Sequence, residues 1–229
     1  KAHRPWGITC AAGWDETGEI TIWKPGKGLR EHGPALTPAN AARMARALVR
    51  QAEMGRTLVT WNGLGFDFDV LAEEAYFEDV RTAVARLALD HVDIAFQMLC
   101  EKGFMCGLQA ASVGMGLAGK TEGMSGAKAP AMWREGLKAQ EQVLEYVAQD
   151  ARATADLYRA ILETGKLTWI TKKGYPATWE PTMKNGRLLT CRECLELPLP
   201  KKRPGWTPWP REKFAGWALE AENGETRTD

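Results

Sequence analysis

No stretch of this 229-residue chain approaches the 18 or more consecutive apolar residues of a membrane-spanning helix, and no signal-peptide pattern opens it. A helical membrane span is thereby excluded, and no membrane partner is expected. Net charge is lacking as well. Thirty basic residues face 29 acidic ones, for a formal charge of +1, so attraction to a polyanion would have to come from a local patch. There is no internal repeat, which removes solenoids and propellers. Cysteine is sparse, an odd count of five in no compact framework. That pattern excludes a disulfide scaffold and fits a reducing compartment, with the cytoplasm as the expected location.

What is present is ordinary for a soluble globular protein: 45% hydrophobic and 26% charged residues, enough for one sizeable domain and an appendage. Strand-like segments at Ile8 to Ala12 and Glu19 to Trp23 flank the turn cluster Asp15-Glu16-Thr17-Gly18 and predict a hairpin. Thr37-Pro38 is a capping signal for a helix reaching about Met54, and a strand at Thr57 to Thr60 follows. Helices are predicted near Phe68 to Phe77, Arg81 to Leu89, Ala95 to Glu101, Leu108 to Leu117 and Leu137 to Leu162, with a short strand at His91 to Ile94 and a loop over Thr121 to Pro130. Beyond Gly165 the chain changes character. Short strands at Leu167 to Thr171 and Thr178 to Trp179, an Asn185-Gly186 turn and a Thr190-x-x-Glu193 capping box precede a proline-rich extended stretch. The expected architecture is α/β, a mixed sheet flanked by helices: a main domain over 1–165, a Trp/Pro-rich extension over 166–219 packed on it, and a polar tail over 220–229.

Two elements carry chemistry. In Thr57 to Asp69 a strand runs into Asn62, then a turn with Gly63 and Gly65, then Phe66 and Asp67 at a helix start. Strand, glycine turn and helix is how α/β proteins place a polar group at the carboxyl end of a sheet. In Gln142 to Asp150, Tyr146 and Asp150 are spaced i, i+4 and share one helix face. A phenol and an acid on that face, with a second acid at a strand end, can converge on a metal and its water.

Asn-x-x-x-Phe-Asp at 62–67 followed by Tyr-x-x-x-Asp at 146–150 resembles the second and third motifs of the DEDD-type 3′–5′ exonucleases, in the tyrosine subgroup. The closest likeness is to the proofreading domain of family B DNA polymerases and its stand-alone bacterial relatives. The resemblance spans roughly residues 8–163 and implies a ribonuclease H-like fold and a two-metal phosphodiesterase using Mg²⁺ or Mn²⁺ on oxygen ligands. It implies that Asp150 and Asp67 bind metal, that Tyr146 orients the attacking water, and that Asn62 and Phe66 shape the pocket for the terminal nucleotides. The substrate expected is a single-stranded DNA 3′ end, with RNA an alternative. The family's first motif, Asp-x-Glu on the opening strand, is missing. Asp15-Glu16 has the residue types, but its spacing and turn context suit a solvated turn. Because the chain opens on Lys1 rather than Met, the missing strand is expected upstream. A catalytically inactive exonuclease-fold protein that binds nucleic acid or acts as a scaffold is the alternative.

Other residues read more plainly. Asp93 suits a cap on the next helix, His91 a partly exposed strand-edge residue, and Asp69 the first turn of the helix after the glycine turn. Cys191-x-x-Cys194 sits inside a capped helix and has no second pair for zinc. Lys201-Lys202-Arg203 beside Trp206 and Trp209 is either a single-strand contact surface or part of an extended strap over the core.

Overall fold

The computed structural model describes residues 6–26, 28, 31–117, 126–202 and 204–224; Arg203, the 121–125 part of the expected loop and the 225–229 part of the tail lie outside them. Strands β1 (Ala11–Trp14) and β2 (Ile20–Trp23) form the antiparallel hairpin, which starts three residues later than the sequence suggests. Its turn is closed by the Asp15 carboxylate, which accepts the Thr17 hydroxyl and the amides of Thr17 and Glu19. Helix α1 (Pro38–Glu53) starts where Thr37 Oγ1 accepts the Asn40 amide, and it buries Ala41, Ala42 and Ala45, small residues that allow close packing.

Strand β3 (Val59–Thr60) leads through the glycine turn into α2 (Asp67–Glu74) and α3 (Glu78–Asp90). Strand β4 (Val92–Asp93) returns parallel to β3 and runs directly into α4 (Ile94–Lys102), which ends at Gly103 with φ +79°. After α5 (Leu108–Gly114) and a short α6 (Ala129–Met132), the 28-residue α7 (Leu137–Thr164) crosses the molecule. The remainder holds the antiparallel pair β5 (Leu167–Ile170) and β6 (Pro176–Trp179). The ribbon β7 (Met183–Lys184) and β8 (Arg187–Leu188), joined by Asn185-Gly186, follows, with the boxed helix α8 (Cys191–Leu195) and α9 (Glu212–Glu222).

The fold is mixed α/β with small sheets among helices. One expectation changes: the hairpin and the crossover pair do not join into one sheet. Among the described residues β1 pairs only with β2, and β3 only with β4. Both β1 and β3 nevertheless lie against α7. Among the described residues each keeps an edge that no second strand engages.

Two apolar clusters flank the β3–β4 pair. Leu71, Val84, Ala88 and Phe96 pack with Trp217 and Ala218 on one side; Ile94, Met98, Leu157, Leu167, Trp169 and Trp179 pack on the other. Helix α9 departs from the sequence reading, which ended the extension in a polar tail from Glu220. Its apolar residues Ala215, Ala218 and Ala221 recur every third position beside Trp217, and that face packs on α3, while Glu212 and Glu220 face water and Glu222 pairs with Arg192. Among the described residues no helix is long and apolar enough to cross a membrane.

The extension is held by one buried cation. Arg211, 5% exposed, donates to the carbonyls of Cys100, Leu195, Leu197 and Pro198. Hydrogen bonds from a charged donor contribute more than neutral ones, and the four carbonyls have little water to turn to. Arg211→Ala is expected to lower unfolding stability by at least about 3 kcal/mol in urea titration; a loss below 1 kcal/mol would show that the carbonyls are resolvated easily.

Candidate active site

The turn after β3 is built by close approaches. Asn62 takes φ +66°, a left-handed conformation that asparagine tolerates better than most residues. A Cβ at Gly63 would fall 2.6 Å from Thr60 Oγ1, and one at Gly65 2.6 Å from the Phe214 ring. Both positions therefore require glycine. Trp217 Nε1 donates to the Leu64 carbonyl at 2.8 Å, so α9 braces the turn from behind.

Asp93 braces it from the sheet side. Thr60 and Asp93 are paired in the β3–β4 register. The Asp93 side chain, 1% exposed, accepts the amides of Asn62 (2.8 Å), Leu64 (3.0 Å) and Phe96 (3.0 Å). The cap on α4 expected from the sequence is present. The same carboxylate also fixes the glycine turn about thirty residues earlier, for which the sequence offers no local signal. Removing it strands three inward-facing amides. Asp93→Ala is expected to cost about 3 kcal/mol or more in denaturant unfolding, with Asp93→Asn intermediate because it keeps one acceptor oxygen.

Asp67 opens α2 at the lip of this turn, with Phe66 beside it, exposed, as the residue before the helix. Tyr146 is buried on α7, and Asp150 is half-buried one turn further along the same helix. The acids share one neighbourhood. Although Asp67 as a residue reaches solvent, crowding of its carboxyl by protein atoms pushes its pKa up to about 7, helped by the charges of Asp93 and then Asp150, against the pull of its own amide. The charges of Asp93 and Asp150 both reach the Asp67 carboxyl.

Because the folded-state pKa is raised, the folded protein binds this proton more tightly than the unfolded chain between about pH 4 and pH 7, and stability falls as pH rises through that window. In metal-free buffer, Asp67→Asn should melt at a higher temperature than the parent at pH 8 and at the same temperature near pH 4. A difference independent of pH would show that Asp67 titrates normally.

The remaining candidates separate from this cluster. Asp69 is buried on the other side of α2, in a cavity it lines with Glu73, Tyr76 and Arg81. Asp15 is tied into its hairpin turn, and Glu16 pairs with Arg56 at 3.5 Å. Lys201 and Lys202 are exposed, between the carbonyls clamped by Arg211 and Trp206, which seats against Gly103. Gly103 ends α4, on the order of 15 Å along the helix from Asp93.

By distance alone His91, Asp93 and Cys191 could hold an ion, since their ligand atoms lie within 4.8 Å of one another. Their donors are already engaged. His91 Nδ1 faces the Ala88 carbonyl at 2.7 Å and Nε2 the Thr60 hydroxyl at 2.8 Å, while Asp93 holds three amides. Burial lowers the His91 pKa and raises that of Cys191 well above its usual range, so the imidazole is neutral and the thiol protonated. Burial likewise raises the Cys194 thiol, and the Cys191-x-x-Cys194 pair packs as core.

The family model RNase_H_2, described as RNase_H superfamily, matches residues 31–162, which include both motifs and Asp93. No curated protein and no solved structure matches the chain.

Proposed function

The chain belongs to the RNase H superfamily, and from that premise we propose that it is a metal-dependent 3′–5′ exonuclease of the tyrosine-type DEDD group, acting on single-stranded 3′ ends, DNA before RNA. Superfamily membership suggests a nuclease that acts on nucleic acid, and such nucleases usually use divalent metals. The observation that carries the finer reading is the shared charge field of Asp67 and Asp150, each delivered by the element its motif calls for.

The donor set suits a hard divalent cation. Asp67 and Asp150 offer carboxylate oxygens, which suit such an ion. Asp93 is less suited, because its oxygens hold the turn. Mg²⁺ or Mn²⁺ bound by Asp67 and Asp150 would activate water and neutralise charge developing on the leaving 3′ oxygen. In this reading the Tyr146 hydroxyl orients the attacking water, and Asn62 and Phe66 flank the terminal nucleotide. Lys201 and Lys202, exposed on the strap, would contribute at most a distant contact to the strand.

Two carboxylates make half of a two-metal site. The open edges of β1 and β3 on α7 supply a reason to expect more. A strand bearing the Asp-x-Glu motif and paired to one of those edges would bring the other two acids to α7. Without it, the alternative is a nucleic-acid-binding or scaffold protein with little turnover.

Digestion of a 5′-labelled single-stranded DNA with Mn²⁺, beside the Asp150→Ala variant, decides between them. The expected result is a ladder shortening from the 3′ end that disappears in the variant, together with a Mn²⁺-dependent rise in melting temperature that the variant lacks. Strand binding that persists in Asp150→Ala, with no ladder from either protein even when an Asp-x-Glu strand is fused ahead of Lys1, would establish the binding protein instead.

A further inference from the structure

A second cavity, of about 320 Å³, lies at the opposite end of the β3–β4 pair from the acid cluster. Thr57 and Leu58, which lead into β3, and His91, which precedes β4, line it, so it stands at the amino ends of the two parallel strands. The turn that presents Asp67 leaves β3 at the carboxyl end. The volume falls in the range of about 300–1,000 Å³ common to small-molecule sites. Four separate segments converge on it: Arg56 and Thr57 before β3, Asp90 and His91 after α3, Arg187 from β8, and Thr190 from the cap of α8. Ala52, Leu58 and Leu87 give it an apolar wall.

Its two cations differ in how they are held. Glu193 accepts one N–H from each terminal nitrogen of Arg187, at 2.7 Å from Nη1 and 3.1 Å from Nη2, and the Leu188 carbonyl accepts from Nη1 at 2.8 Å. Among the described residues the Arg187 Nε–H and the remaining Nη2–H have no acceptor. Those two donors form the side fork of the guanidinium, which matches two oxygens of a phosphate or carboxylate. Arg56 is looser. It donates to Gln51 at 2.6 Å, and its partner Glu16, 67% exposed, stands 3.5 Å away. An exposed ion pair of that kind contributes little and yields to a better-placed anion. The acid among the lining residues, Asp90, is itself held by Arg192 at 2.7 Å.

An anionic end for two guanidiniums and a flat body for an aliphatic wall describe one ligand class. Inorganic phosphate would leave the wall unused, and a neutral nucleoside would leave both cations unused. We propose that this cavity binds a nucleoside monophosphate, with its phosphate on Arg56 and Arg187 and its base against Ala52, Leu58 and Leu87. The inference goes beyond the nuclease reading and does not require it. A short relay joins the cavity to the turn that bears Asp67. His91 donates from Nδ1 to the Ala88 carbonyl at 2.7 Å, so its Nε2 accepts the Thr60 hydroxyl at 2.8 Å, and Thr60 Oγ1 accepts the Gly63 amide at 3.2 Å. A ligand seated against His91 stiffens the turn from behind.

The test is isothermal titration calorimetry with thymidine monophosphate in EDTA, with thymidine and inorganic phosphate as companions. Without a cation the carboxylates of the acid cluster repel a phosphate, so binding there does not compete. The parent should bind one nucleotide, tighter than either companion by about tenfold or more, and Asp150→Ala should bind it equally well. Arg187→Lys keeps the charge beside Glu193 but loses the fork, and it should weaken binding about tenfold, as should Arg56→Gln. Should Arg187→Lys fold poorly, Arg56→Gln, altered at an exposed side chain, still reads the site. Hydrogen exchange of the Gly63 amide should slow in the bound state. Affinity untouched by both arginine variants, or lost in Asp150→Ala, would overturn the site. Equal affinity for inorganic phosphate would overturn the nucleotide assignment, and unchanged exchange at Gly63 would overturn the relay. No binding of any probe would overturn the proposal and leave the nuclease reading standing.

Discussion

One buried carboxylate holds the centre of this molecule. Asp93 ends β4, caps α4 and accepts two amides of the turn that presents Asn62 to Asp67. A charged acceptor inside protein is costly unless its lone pairs are used, and three amides use them. Its position follows from the parallel pairing of two very short strands, which sets Thr60 opposite Asp93. The turn, the helix behind it and the strand beside it are thus registered by a single side chain.

That registration has an electrostatic consequence. Asp93 adds its charge to the field around Asp67, and α7 adds Asp150. The turn cannot relax to spread these acids, because Phe214 closes against Gly65 and Trp217 holds the Leu64 carbonyl. Helix α9, at the far end of the chain, is therefore part of the scaffold under the acid cluster. The buried Arg211 guanidinium, gathering four carbonyls at the start of that helix, keeps it in place. Stability and site geometry are coupled through the C-terminal segment, whose tryptophans serve as bracing.

A site with more acid than its neighbours neutralise can bind a cation and repels a polyanion. Both sides of that conflict bear on a nuclease. Trp6 and Phe66 stand side by side at this lip, both partly exposed. The open edges of β1 and β3, both on α7, mark where the fold can accept further backbone beside the acids.

The residues proposed for the site are marked by residue order. Asn62, Asp67, Tyr146 and Asp150 stand out because turn chemistry and helical spacing act over a few residues, and local backbone preferences write themselves into local sequence. Helix α1 with its Thr37-Pro38 start, the Asn185-Gly186 turn and the Thr190 capping box were readable for the same reason. Tertiary structure alone decided three matters. It gave Asp93 a second task across about thirty residues, folded α9 from a segment that looked like extension and tail, and kept the hairpin apart from the parallel pair. It also set Trp6 against Phe66. These depend on which distant surfaces meet, and a packed interior chooses among pairings that the sequence taken locally leaves equal.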